Sequence, residues 1–194
     1  VYECKAKGVF RRDGIKPLVG DDAEIEILDE KDMEGNITEI LPRRNELIRP
    51  AVANIDQALV VFAVTEPEPH FNLLDRFLVM MERKDIPTVL CFNKTDIAES
   101  PDIEKLEEIY RGCGCPLVFT SAREQINIER LKAFLKGKTT AIAGPSGVGK
   151  SSLINLVQPH VQMETGNISR KIARGKHTTR HSELIVINED SYIM

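Results

Sequence analysis

The stretch AGPSGVGKSSLIN, residues 143–155, combines residue types and spacings that bind phosphate. Gly144, Gly149, Lys150 and Ser151 fit the pattern GxxxxGKS/T, between an apolar stretch and a helical one. In such a loop the backbone N–H groups wrap around phosphates, the lysine reaches the β- and γ-phosphates, and the hydroxyl binds Mg²⁺ at a helix N-terminus. The predicted phosphate-contacting residues are Gly144, Pro145, Ser146, Gly147, Val148, Gly149, Lys150, Ser151 and Ser152, with Ser151 as a magnesium ligand and Lys150 also as a catalytic residue.

A second stretch, FNKTD at residues 92–96, follows the apolar run PTVLC. The carboxylate of Asp96 can accept hydrogen bonds from N1–H and the exocyclic amine of guanine, whereas adenine presents an acceptor there. Asn93 would bond the Hoogsteen edge of the base, and the stem of Lys94 would lie over the ring. Alone, the stretch fits a helix N-cap at Asp96 equally well, but next to a phosphate loop it favours guanine recognition.

A third stretch, TSA at residues 120–122, ends the apolar run PLVF. The backbone N–H of Ala122 can donate to guanine O6, and Ser121 can shape the loop. These residue types are also common in ordinary turns. The position is informative, because a doubly wound sheet brings this stretch and FNKTD to the same carboxyl edge.

The segment SRKIARGKHTTRH, residues 169–181, is basic and has no acidic residue. We expect Thr179, rather than Thr178, to supply a hydroxyl to Mg²⁺ and to act near the γ-phosphate, as switch loops do. His177 is a further candidate catalytic residue, although a surface histidine is commoner than a catalytic one. The alternative for the whole segment is a solvated basic loop.

Two kinds of element must position these residues. Alternating patterns in the first fifty residues predict short strands of a small barrel or part of one. Thereafter continuous apolar strands alternate with helices, which predicts a mostly parallel sheet covered by helices. We place the domain boundary in residues 45–56 and assign residues 1–50 and 51–194 to the two domains. The α/β strands are predicted at 58–64, 87–92, 116–121 and 139–144, and the helices at 72–84, 128–137 and 151–157.

Composition limits the remaining possibilities. The net charge is −4, from 26 basic and 30 acidic residues, so any RNA contact must come from a local patch. Arginines of the first segment could form it, or they could be ordinary surface residues. No apolar run is long enough for a membrane span, and the four cysteines lack zinc-site spacing and predict free thiols in a reducing cytoplasm. The arginines are Arg11, Arg12, Arg43, Arg44 and Arg49.

The order of the motifs is NKxD, TSA, GxxxxGKS and then the threonine segment, whereas a Ras-like GTPase has its phosphate loop first. This order indicates a circular permutation, which is tolerable because domain termini usually lie close together. Together with GPSGVGKSSLIN and RGKHTTRH, it closely resembles the RsgA (YjeQ/YloQ) family of circularly permuted, ribosome-associated bacterial GTPases. The resemblance covers essentially the whole chain.

The resemblance implies a multidomain β plus α/β fold: a partial OB-fold β-barrel, then a circularly permuted P-loop GTPase domain. It implies GTP/GDP and Mg²⁺ as ligands, guanine on Asn93, Lys94, Asp96, Ser121 and Ala122, phosphates on residues 144–152, and Mg²⁺ on Ser151 and Thr179. It also implies a monomeric cytoplasmic enzyme that binds rRNA and hydrolyses GTP under stimulation by the small ribosomal subunit, late in that subunit's maturation.

Some parts of the family pattern are missing from these residues. No DxxG motif follows the threonine segment. We expect this motif, the first barrel strand and a C-terminal domain that binds Zn²⁺ to lie outside this chain. Two other functions are possible: a non-catalytic RNA-binding module that senses GTP, and a P-loop ATPase, which Asp96 disfavours.

Overall fold

A computed structural model describes residues 1–6, 8, 10, 14–158 and 183–194. The chain forms two compact units, Val1–Ile55 and Asp56–Met194. The division therefore falls a few residues after the boundary that we placed between residues 50 and 51.

The first unit contains the predicted short strands. β1 (Glu3–Ala6), β2 (Ala23–Asp29) and β3 (Glu34–Ile40) form a sheet in the order β1-β3-β2. β1 is parallel to β3, and β2 is antiparallel to it. β4 (Glu46–Leu47) and β5 (Val52–Ala53) pair with each other. The prediction of β structure in this segment is confirmed.

The second unit is a six-stranded sheet in the order β10-β11-β9-β6-β7-β8. Neighbouring strands are parallel except for the pair of β10 and β11, so the predicted parallel sheet is confirmed. The strands are β6 (Gln57–Ala63), β7 (Thr88–Asn93), β8 (Leu117–Phe119), β9 (Thr139–Ala143), β10 (Ile185–Asn188) and β11 (Ser191–Ile193). The helices are α1 (Phe71–Glu82), α2 (Ser100–Tyr110), α3 (Ile128–Leu135) and α4 (Lys150–Val157), with a short 3₁₀ helix at Thr95–Ile97.

Helices cover both faces of this sheet. Because successive side chains of a strand point to opposite faces, Val61 packs with α3 and α4, whereas Phe62 packs with α1 and α2. The central strands β6 and β7 are buried throughout, which explains their continuous apolar sequences. Among the described residues, no helix is long and apolar enough to cross a membrane.

The strand order reverses between β9 and β6. From β9 the chain continues to β10 and β11 on one side, and from β6 it continues to β7 and β8 on the other. In open α/β sheets, ligands bind outside the carboxyl ends of the strands at such a switch point. The stretch at residues 92–96 includes the carboxyl end of β7, and the stretches at 120–122 and 144–149 directly follow the carboxyl ends of β8 and β9 at this edge.

Candidate nucleotide-binding site

The loop between β9 and α4 depends on glycine at two close approaches. Gly144 has φ +143°, and a Cβ there would lie 2.1 Å from the carbonyl oxygen of Val61. Gly149, the N-cap of α4, has φ +93°, and a Cβ there would lie 2.3 Å from Nδ2 of Asn93. Any side chain at either position would collide with the strand beside it. The glycines therefore let the loop turn tightly at the ends of β6 and β7.

Lys150 is the first residue of α4, and its ammonium faces back into the loop. Nζ donates to the carbonyl oxygens of Gly144 at 2.9 Å and Pro145 at 2.5 Å. Burial lowers the pKa of Lys150 because desolvation disfavours the charged form. A bound phosphate would supply a negative charge beside the ammonium group, which favours the charged form that desolvation disfavours.

The remaining predicted phosphate ligands lie on the same loop and helix. Ser146 and Gly147 are exposed, Val148 is buried, and Ser151 and Ser152 stand in the first turn of α4. This first turn contains no acidic residue, which suits an anion at the positive end of the helix dipole. The glycine loop, the partly buried Lys150 and the helix N-terminus, which no side chain caps, fit a nucleotide phosphate, and the Ser151 hydroxyl fits a Mg²⁺ ligand.

Asn93 ends β7 and joins three parts of the site. Its side chain is buried; Nδ2 donates to the carbonyl oxygen of Val148 at 2.9 Å. Oδ1 accepts from the hydroxyl of Thr120 and from the backbone N–H of Ala122, each at 3.1 Å. Hydrogen bonds of Asn93 thus join the NKxD stretch, the TSA stretch and the phosphate loop. Direct contacts of Asn93 with the Hoogsteen edge and of Ala122 with O6 stay predictions.

Asp96 lies within the 3₁₀ helix and is partly exposed. Its Oδ1 accepts from the hydroxyl of Ser121 at 2.6 Å, and that hydroxyl also accepts from the backbone N–H of Glu124. The N-cap of the 3₁₀ helix is Lys94 and that of α2 is Glu99, so the alternative interpretation of Asp96 as an N-cap is wrong. Ser121 instead orients a carboxylate that can read guanine.

Two contacts of the site were not predicted from sequence. Thr120 is fully buried, and besides bonding Asn93 its hydroxyl lies 3.4 Å from Sγ of Cys91. Burial raises the pKa of the Cys91 thiol to about 12, so this thiol is neutral at pH 7. Lys94 donates from Nζ to the backbone carbonyl of Glu66, in the loop between β6 and α1. The position of Thr120 directly after an apolar strand could have suggested the first contact.

Some predicted residues lie outside the described part of the chain. These are Thr179 and His177 of the basic segment, together with Arg11 and Arg12. Their roles stay predictions. Within the described residues, no group of three or more His, Cys, Asp or Glu side chains could hold a metal ion.

Two of the arginines considered for RNA contact hold the first unit together. Arg43 donates to both carboxylate oxygens of Asp21, at 2.6 and 2.9 Å, and to Glu46 at 2.5 Å. The hydrogen bond to Asp21 is the main cause that raises the pKa of Arg43. Arg44 donates to the side-chain and backbone oxygens of Asn54. Arg49 is exposed.

A mostly parallel sheet that carries a phosphate loop, an NKxD stretch and a TSA stretch at one edge defines a P-loop GTP-binding domain, here in circularly permuted order. Residues 40–194 match the family model of the RsgA GTPase, and residues 1–37 match that of the RsgA N-terminal domain. The chain belongs to the RsgA family. The resemblance stated from the sequence and the predicted fold class are both confirmed.

Relatives and solved structures agree with this assignment. Proteins named small ribosomal subunit biogenesis GTPase RsgA are 58% identical in Agathobacter rectalis and 50% identical in Alkaliphilus metalliredigens, over the whole of this chain. The chain covers 64% and 66% of those proteins, so it spans slightly less than two thirds of these curated relatives.

The solved structures include the crystal structure of YjeQ from Thermotoga maritima, with a TM-score of 0.78 at 38% identity over 98% of this chain and 64% of that one. They also include the crystal structure of YloQ, described as a circularly permuted GTPase, with a TM-score of 0.64 at 41% identity. That match covers 83% of this chain and 57% of the YloQ chain.

Proposed function

We propose that this protein binds GTP and hydrolyses it to GDP and phosphate, as a biogenesis factor that acts on the small ribosomal subunit. The observation that carries the proposal is the side chain of Asn93, which connects the guanine-recognition stretches to the phosphate loop. The relatives are named small ribosomal subunit biogenesis GTPase, which supports both the activity and the partner.

The base would be recognised at the ends of β7 and β8. Asp96, oriented by Ser121, would accept from N1–H and the exocyclic amine of guanine. Ala122 would donate to O6, and the stem of Lys94 would cover one face of the ring. Adenine has an acceptor at N1 and no amine at C2, so a bound adenine would leave the Asp96 carboxylate without its two donors from the base and would bind more weakly.

The phosphates would be held by the backbone N–H groups of residues 144–149 and by Lys150. Water would attack the γ-phosphorus of GTP, the bond to the β–γ bridging oxygen would break, and GDP would leave; catalysis of this step depends on positioning and on stabilising negative charge. Lys150 would stabilise that charge, and Ser151 together with Thr179 would hold Mg²⁺. We also propose His177 as a catalytic residue of the basic segment.

A turnover assay tests this proposal. GTP hydrolysis is measured with and without small ribosomal subunits, for the wild type and for Lys150→Ala. We expect the subunits to raise turnover of the wild type, and the variant to lose about 100-fold or more because charge stabilisation at the γ-phosphate is removed. Tight GTP binding without turnover at any subunit concentration would support a non-catalytic GTP sensor instead.

We propose that rRNA is the binding surface on the subunit, and that the protein acts in the cytoplasm late in subunit maturation. We further propose that the protein acts as a monomer. The proposed Zn²⁺ would bind outside this chain.

A further inference from the structure

We propose that Glu66 is a positioning residue for guanine recognition, because its backbone carbonyl fixes the ammonium group of Lys94. The inference rests on the proposed function and adds the loop at residues 64–70, between β6 and α1, to the nucleotide site. This loop contains none of the motif residues.

The contact itself is a hydrogen bond from Nζ of Lys94 to the carbonyl oxygen of Glu66. A lysine side chain has many rotamers, and each one lost on ligand binding weakens affinity. When Nζ is held at one end and the backbone at the other, the aliphatic stem has little freedom left. The stem is then prepared as a platform for a flat base before the base arrives.

The backbone at Glu66 is in a conformation that residues other than glycine rarely adopt. Its φ is +48°, in the left-handed region, although the residue is not glycine. Lys94 is also left-handed, with φ +69°. Non-glycine residues in this region are uncommon and cluster at functional sites and ligand clamps. A residue that cannot adopt this φ would turn the carbonyl away from Lys94.

The same loop lies against the other parts of the site. The backbone N–H of Val64 donates to the carbonyl oxygen of Asn93 at 2.9 Å. A Cβ built on Gly147 would lie 3.9 Å from Cδ of Pro67, so this proline is next to the phosphate loop. Glu66 therefore stands between the two segments that a bound nucleotide would join.

Two substitutions at Glu66 separate the backbone from the carboxylate. Glu66→Gly removes the side chain but keeps the left-handed conformation accessible, and we expect affinity for fluorescent GDP to stay within about twofold. Glu66→Val removes the same charge but disfavours this φ, and we expect GDP affinity to fall about five- to thirtyfold. Affinity for inorganic pyrophosphate, which has no base, should change less than about twofold in both variants.

Three further variants serve as controls. Glu68→Val places the same substitution in the same loop at a residue without positive φ, and Asp85→Val places it at a left-handed residue, φ +52°, outside the site. Both should keep GDP affinity. In a Lys94→Met background, Glu66→Val should have no further effect on GDP, since the group that it positions is gone.

Three results would overturn the inference: an unchanged GDP affinity in Glu66→Val, an equal loss of pyrophosphate affinity, or an undiminished effect in the Lys94→Met background. Binding measurements on the wild type distinguish failure of the inference about Glu66 from failure of the proposed function. If the wild type binds neither GDP nor pyrophosphate, the proposed function fails and the inference falls with it. If the wild type binds GDP, only the behaviour of the variants decides.

Discussion

At the residue scale, the hydroxyl of Thr120 fixes the direction in which the side-chain amide of Asn93 points, and both parts of the site depend on that direction. Because Oδ1 accepts from Thr120 and Ala122, Nδ2 is directed to the carbonyl of Val148. Removing the hydroxyl leaves Oδ1 with a single described donor and loosens this orientation. A buried polar atom that loses a partner costs about 1–3 kcal/mol.

We therefore expect Thr120→Val to lower the free energy of unfolding by about 1–2 kcal/mol and GDP affinity by about three- to tenfold. Thr140→Val is the matched control, since Thr140 is equally buried but accepts from Gln57 at the opposite end of the sheet. It should lose similar stability and keep its GDP affinity. Denaturant unfolding and fluorescent GDP titration measure both; equal losses of affinity would refute a specific role for Thr120.

At the level of elements, the phosphate loop needs glycine at position 149 for two reasons: the positive φ of the backbone and the lack of room for a Cβ atom. Gly149 and Gly137 both have positive φ, +93° and +68°, so alanine strains the backbone at either position. Only at Gly149 would the new Cβ collide, 2.3 Å from Nδ2 of Asn93; at Gly137 the nearest atom is 3.9 Å away.

We expect Gly149→Ala to lose nucleotide binding by about 100-fold or more, because Asn93 and the start of α4 must separate. Gly137→Ala should lose about 1–2 kcal/mol of stability and keep its GDP affinity. Calorimetric titration with GDP compares the two variants. Retained binding in Gly149→Ala would mean that the loop tolerates this displacement.

Local patterns predicted the elements better than they predicted contacts between elements. Continuous apolar runs were sufficient for β6 and β7 because both are buried on two faces. The run at 116–121 was predicted too long, since β8 ends at Phe119 and Thr120 and Ser121 turn towards Asn93 and Asp96. Glu66 could not be predicted, because its contact uses a backbone carbonyl, which every residue type possesses.

At the scale of the whole molecule, the strand order in the sheet, and not the order of the motifs along the chain, decides which motifs lie side by side. The guanine-recognition stretches precede the phosphate loop along the chain, but β9 lies beside β6 and β6 beside β7. Asn93 and Val148 are consequently in contact across 55 residues. Ligand binding at one part of the site should therefore stabilise the other.

Hydrogen exchange can measure this coupling in the protein with GDP or with pyrophosphate. A ligand at 100 times its Kd adds about 2.7 kcal/mol to stability. We expect GDP to increase protection in α4 and also in β7 and β8. Pyrophosphate would contact only the phosphate loop, yet it should protect β7 as well, because Asn93 is hydrogen-bonded to that loop. In Asn93→Ala, pyrophosphate should protect α4 alone; protection confined to α4 in the wild type would show that the two parts of the site bind independently.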